Sequence, residues 1–104
     1  MIIKFFNKSI KKFLKGLDEP TAARIVRTLN MLDRFEHRLG MPHSKKIDTN
    51  LFELRISGKR KIRIIYCFHE NSIVLLNIFI KKTQKIPRKA LLLAKSRLNS
   101  LEHI

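Results

Sequence analysis

Leu51-Phe52-Glu53-Leu54-Arg55-Ile56, then Ile62-Arg63-Ile64-Ile65-Tyr66-Cys67-Phe68, then Ser72-Ile73-Val74-Leu75-Leu76-Asn77-Ile78-Phe79-Ile80 are β-rich runs, separated only by residues 57–61 and 69–71. Connections this short join antiparallel neighbours, because a parallel crossover needs a dozen residues or more. The spacing therefore predicts an antiparallel meander. Successive side chains of a strand point to opposite faces, so Phe52, Leu54 and Ile56 share one face and Glu53 and Arg55 the other. In the second run Ile62, Ile64, Tyr66 and Phe68 share a face, opposite Arg63, Ile65 and Cys67. The third run is apolar on both faces, as a buried central strand should be.

Upstream of these strands the periodicity is helical. Ile10, Phe13, Leu14 and Leu17 recur at i, i+3, i+4 and i+7, and Lys8, Lys11, Lys12 and Lys15 take the opposite face. Asn7 is placed to cap this helix and Gly16 to end it. Asp18-Glu19-Pro20 then opens a second helix with an acidic cap and a first-turn proline. Its apolar stripe is Ala22, Ile25, Val26, Leu29, Leu32 and Phe35, and Gly40 and Pro42 close it. Residues 2–6 form a short β-prone start. After Pro87 a closing helix carries Leu91, Ala94, Leu98 and Leu101 on one side. The predicted order is β-α-α-β-β-β-α in one domain, residues 1–104. The expected class is α+β: an N-terminal helical hairpin packed on a small twisted antiparallel sheet, with a C-terminal helix.

Charge narrows the function. The 104 residues hold 23 Lys and Arg against 8 Asp and Glu, a formal net charge of +15. Self-repulsion on this scale costs stability and suits a polyanionic partner. Hydrophobic residues make up 44% of the chain, enough for a modest core and too many for a disordered segment. Cys67 is the single cysteine, so neither an intrachain disulfide nor a thiolate metal cage can form, and its apolar neighbours mark it as a buried thiol. Lys4, Lys8, Lys11 and Lys12 interrupt the apolar start before a signal-peptide core forms. The run 73–80 falls far short of the ~20 residues that span a bilayer. These features predict a soluble, cytoplasmic protein with no membrane association.

The cations are grouped. Arg55, Lys59, Arg60, Lys61 and Arg63 form one acid-free group, and Lys81, Lys82, Lys85, Arg88, Lys89, Lys95 and Arg97 form another. With the strands paired as predicted, Arg55 and Arg63 project from one sheet face and the exit at 81–85 lies beside it. Lys45 and Lys46 follow His43, which is a candidate acid or base. An arginine inside an apolar strand, as Arg63 is, needs a ligand or a partner such as Glu53. Arginine at both strand positions suits bidentate phosphate recognition. The histidines, His37, His43, His69 and His103, lack metal-site spacing. No P-loop, GxGxxG, catalytic carboxylate pair or CxxC is present, so neither cofactor nor metal is expected.

Three segments carry a family likeness: Leu51-Phe52-Glu53-Leu54-Arg55, Arg63-Ile64-Ile65-Tyr66, and the lysine-rich exit from Phe79 through Lys81-Lys82-Thr83-Gln84-Lys85 to Pro87. In this order they resemble the RelE/ParE toxin superfamily, and within it the phage-derived, HigB-like branch. The resemblance implies a RelE-like fold and the toxin role in a type II toxin–antitoxin pair. It further implies a metal-independent mRNA endoribonuclease, commonly ribosome-dependent, silenced by a helix-turn-helix antitoxin of the HigA-like kind. In that chemistry the RNA 2′-hydroxyl attacks the adjacent phosphate. By this likeness Arg55, Arg63, Lys82 and Lys85 are the catalytic candidates. Lys45, Lys46, Lys59, Arg60, Lys61, Tyr66 and Lys81 are the RNA-binding ones. Many superfamily nucleases place a Tyr or His late in the site as acid or base; after Phe79 this chain has no Phe, Tyr or Trp, and His103 is not expected to substitute. The competing readings are a ParE-like gyrase-directed or non-catalytic member of the superfamily, or a small RNA- or DNA-binding domain.

Overall fold

A computed structural model describes residues 1–102. The chain runs β1 (Ile2–Phe5), α1 (Lys8–Lys15), α2 (Glu19–Phe35), a short 3-10 turn (Glu36–Arg38), β2 (Ser44–Asp48), β3 (Leu51–Ile56), β4 (Ile62–His69), β5 (Ser72–Ile80) and α3 (Arg88–Glu102). The strands form one five-stranded sheet in the order β1-β5-β4-β3-β2. The run β2 to β5 is antiparallel throughout, and β1 joins β5 in parallel, with Ile2 opposite Ser72 and Phe5 opposite Leu75.

This corrects the expected architecture in three respects. The sheet is mixed and five-stranded rather than small and antiparallel. The helices α1 and α2 do not behave as a hairpin docking as one unit. Instead α1 rests on β1 and β5 while α2 lies across β3. Finally, α3 covers the opposite face, packing on β4 and β5, so the sheet is a middle layer with helices on both sides. The physical reason is burial. Both faces of β4 and β5 are apolar, and each needs a cover.

One core therefore lies on each face. On the side of α1 and α2, Ile10, Ile25 and Leu32 of the helices pack with Leu54, Ile56, Ile62, Ile64, Tyr66, Ile73 and Leu75 of the sheet. Beneath α3 sit Leu51, Ile65, Cys67, Val74 and Leu76 with Ala94. The helix starts follow ordinary capping chemistry. The Asn7 side chain accepts from the N–H groups of Ser9 and Ile10, and the Asp18 carboxylate accepts from the Thr21 N–H. In β5 the register against β4 slips between Ile65 and Tyr66, so that Ile65 faces Asn77 while Tyr66 faces Leu75. Leu76 is the inserted residue of this bulge. Its carbonyl accepts a bond from Arg97 Nη1 at 2.7 Å, and Asn77 Nδ2 donates to the Ala90 carbonyl at 3.4 Å. A bulge leaves its extra residue outside the ladder, and here α3 takes up the freed group.

Candidate functional site: a cationic trough at the sheet end

The register of β3 and β4 sets Arg55 directly opposite Arg63. Like charges so placed repel. What offsets them is Glu53, two residues back on the same face of β3. Its side chain is 2% exposed, and its Oε1 accepts from Arg55 Nε at 3.0 Å. Its Oε2 stands 3.8 Å from Arg63 Nε, close enough for attraction and too far for a hydrogen bond. Both of these atoms are buried with no hydrogen-bond partner among the described residues. Arg63 Nη1 donates to the Ile62 carbonyl at 3.0 Å, and its side chain is only 12% exposed. Burial pulls the Arg63 pKa down, the Glu53 carboxylate opposes that, and Arg55 adds to it. One carboxylate thus serves two guanidinium groups, and an anionic oxygen would complete the set.

The pair opens on a trough of about 700 Å³ at the end of the sheet, lined by Arg55, Lys59, Arg60, Lys61, Arg63, Ile80, Lys81, Lys82, Thr83 and Gln84. No carboxylate lines it. The Lys81 N–H donates to the Lys61 carbonyl at 2.7 Å, which ties the lysine exit to the β3–β4 connection. A second depression of about 370 Å³ continues from Arg55 and Lys81 past Glu53 to Lys45, Lys46 and Lys85. A third, of about 590 Å³, lies on the other side of the arginine pair, where His43 and Pro42 meet Arg24, Arg27, Thr28 and Met31 of α2.

The structure brings together Arg55, Arg63, Lys59, Arg60, Lys61, Lys81 and Lys82 in the trough, with Lys45, Lys46 and Lys85 in its extension and His43 in the adjoining notch. Tyr66, counted from sequence among the RNA-binding residues, does not join them. It is 1% exposed on the opposite face, its ring stacked on Phe52 and its hydroxyl bonded to Ser44 Oγ. Burial pushes the phenol pKa up, against the lowering effect of the Ser44 bond. The reason is strand alternation, which turns Tyr66 away from Arg63. Arg24 and Arg27 are residues that sequence reasoning missed. The signal for them was present: Arg24, Arg27, Thr28 and Met31 fall at i, i+3, i+4 and i+7 of α2, a stripe beside its apolar one. His103 lies outside the described residues. Among the described residues no group of three or more His, Cys, Asp or Glu could hold a metal ion, and no helix is long and apolar enough to cross a membrane.

Fold and site together define a small protein of helices on both faces of a mainly antiparallel sheet that carries an acid-free cationic trough at one end. The chain belongs to the phage-derived Gp49-like protein family (DUF891), whose model matches residues 12–99, and this family is related to toxin–antitoxin systems. No curated protein shows significant similarity to the chain.

Proposed function

We propose that this protein is the toxin of a toxin–antitoxin pair and that it cleaves mRNA. The observation that carries the reading is the arginine pair, held from adjacent strands by one buried carboxylate at the mouth of an acid-free trough. Guanidinium forks bind phosphate oxygens bidentately, and two of them fix a phosphate in orientation as well as in place. In the proposed step the 2′-oxygen of the RNA forms a bond to the adjacent phosphorus and the bond from phosphorus to the 5′-oxygen breaks. The products are a 2′,3′-cyclic phosphate and a 5′-hydroxyl. The 2′-hydroxyl proton leaves and the departing 5′-oxygen gains one. Such chemistry asks the protein for alignment, charge stabilisation and proton transfer. Arg55 and Arg63 supply the first two, with Lys82 and Lys85 neutralising the developing charge. His43, the imidazole of the adjoining notch, is the candidate for proton transfer. The partners this reading implies are mRNA, on the ribosome, and a cognate helix-turn-helix antitoxin.

Induced expression of the wild type is expected to arrest growth. Arg63→Ala should relieve the arrest while the purified variant keeps its circular dichroism spectrum. A folded Arg63→Ala that remains fully toxic would refute the phosphate clamp. Primer extension on cellular mRNA after induction separates the mechanisms. New 5′ ends within translated codons support cleavage, whereas intact mRNA with cleaved or relaxed DNA would replace it with a gyrase-directed action.

A further inference from the structure

The notch beside the arginine pair differs in kind from the trough. Its lining brings the apolar Met31, Pro42 and Ile56 together with cationic side chains, and it carries no carboxylate. Two features of the fold build it. The ladder between β2 and β3 begins at Ser44 opposite Leu54, and the Arg55 N–H makes one further bond to the His43 carbonyl at 2.8 Å. Past that point no described strand lies beside the chain at Ser57, just beyond β3, and α2 overhangs the gap. The second feature is Gly58, at φ +134°, where a Cβ would come within 2.7 Å of Arg24 Nη1. Only glycine lets the Arg24 guanidinium lie against the hairpin there and form the notch wall.

We infer that this notch is a nucleobase site, receiving a base of the RNA strand whose phosphate the arginine pair holds. The inference rests on the RNA reading above and adds to it where sequence preference would arise. A trough lined by lysine and arginine serves phosphates equally well whatever base they carry. A base needs a π-face partner and hydrogen-bonding edges. Guanidinium planes offer the first, the unpaired backbone at Ser57 offers the second, and the apolar Met31, Pro42 and Ile56 side chains exclude water beside the ring. At about 590 Å³ the notch falls within the size range of small-ligand sites. Arg55, Lys61 and Arg63 line both depressions, so a base in the notch and a phosphate in the trough belong to one nucleotide or its neighbour.

The test compares a single-stranded RNA trinucleotide with an analogue of the same phosphates whose middle position is abasic, titrated into isotopically labelled protein. The expected result is about tenfold weaker binding of the abasic strand, in line with single-base stacking contributions. The Met31 methyl and the Ser57 amide should shift only with the base-bearing strand. Equal affinities, with Met31 unmoved, would overturn the inference while leaving the phosphate clamp intact. Met31→Trp fills the notch from a half-exposed helix position. It should remove the base-dependent difference while leaving abasic binding within about twofold, and persistence of the full difference in that variant would place the base elsewhere. Binding of neither strand would remove the RNA reading itself, and the base site with it.

Discussion

A carboxylate 2% exposed between two guanidinium groups makes an ion cluster whose loss is asymmetric. Removing Glu53 would leave Arg55 and Arg63 facing each other across the ladder with no counter-charge. Glu53→Ala should therefore lower the unfolding free energy by about 3–5 kcal/mol, the range for breaking a buried pair, and urea unfolding will read it. A loss below about 1 kcal/mol would mean that the arginines swing to solvent and that the carboxylate holds neither in place. Alkaline pH acts on the core by a different route. Burial raises the Cys67 thiol from an ordinary value of 9.0 to about 11, and Tyr66 shifts in the same direction. The native state thus keeps a proton that the unfolded chain releases. Stability is full below about pH 9 and falls as pH rises towards about 11. Cys67→Ala should make that decline shallower in urea series taken between these limits, and an unchanged slope would show that the thiol contributes nothing to it.

Among the elements, β3, β4 and β5 were legible because each carries a long apolar run bounded by turn residues. The α1 and α2 starts were legible because Asn7 and Asp18 are capping residues at the onset of helical periodicity. Asn7→Ala should cost about 1 kcal/mol, as loss of a cap bonded to two N–H groups typically does. Equal thermal midpoints for variant and wild type would mean that α1 is held by its packing alone. The strand β2 was not legible. Ser44-Lys45-Lys46-Ile47-Asp48 has almost no apolar alternation, because an edge strand needs burial on one side only and charge there discourages further pairing. The parallel pairing of β1 could not be read either, since its partner lies some seventy residues downstream and local pattern carries no record of it. For the site, the strand arginines and the lysine exit stood out as cations in or beside apolar runs. Arg24 and Arg27 did not, because on a helix with so many cations nothing marks two as facing a gap in the sheet.

Across the whole molecule the net charge is +15, and two concentrations of it are the trough and the exposed face of α1, where Lys8, Lys11, Lys12 and Lys15 stand at helical spacing. Lysines at i and i+4 repel, so a bound polyanion should relieve strain at both places. Added polyphosphate is expected to raise the melting midpoint at low ionic strength. The gain should vanish near 1 M salt, where the screening length falls to about 3 Å. A gain that survives such salt would point to contacts other than charge. The pairing of β1 with β5 bears also on the order in which a ribosome delivers the chain. Residues 2–5 are made long before their partner, residues 72–75, and before the helix that seals the second face, Arg88–Glu102. Every earlier length of nascent chain therefore has an unpaired first strand and an uncovered sheet face. A sheet face beside the arginine pair thus stays uncovered until α3 has been made, so the site's surroundings are completed well after its own two strands.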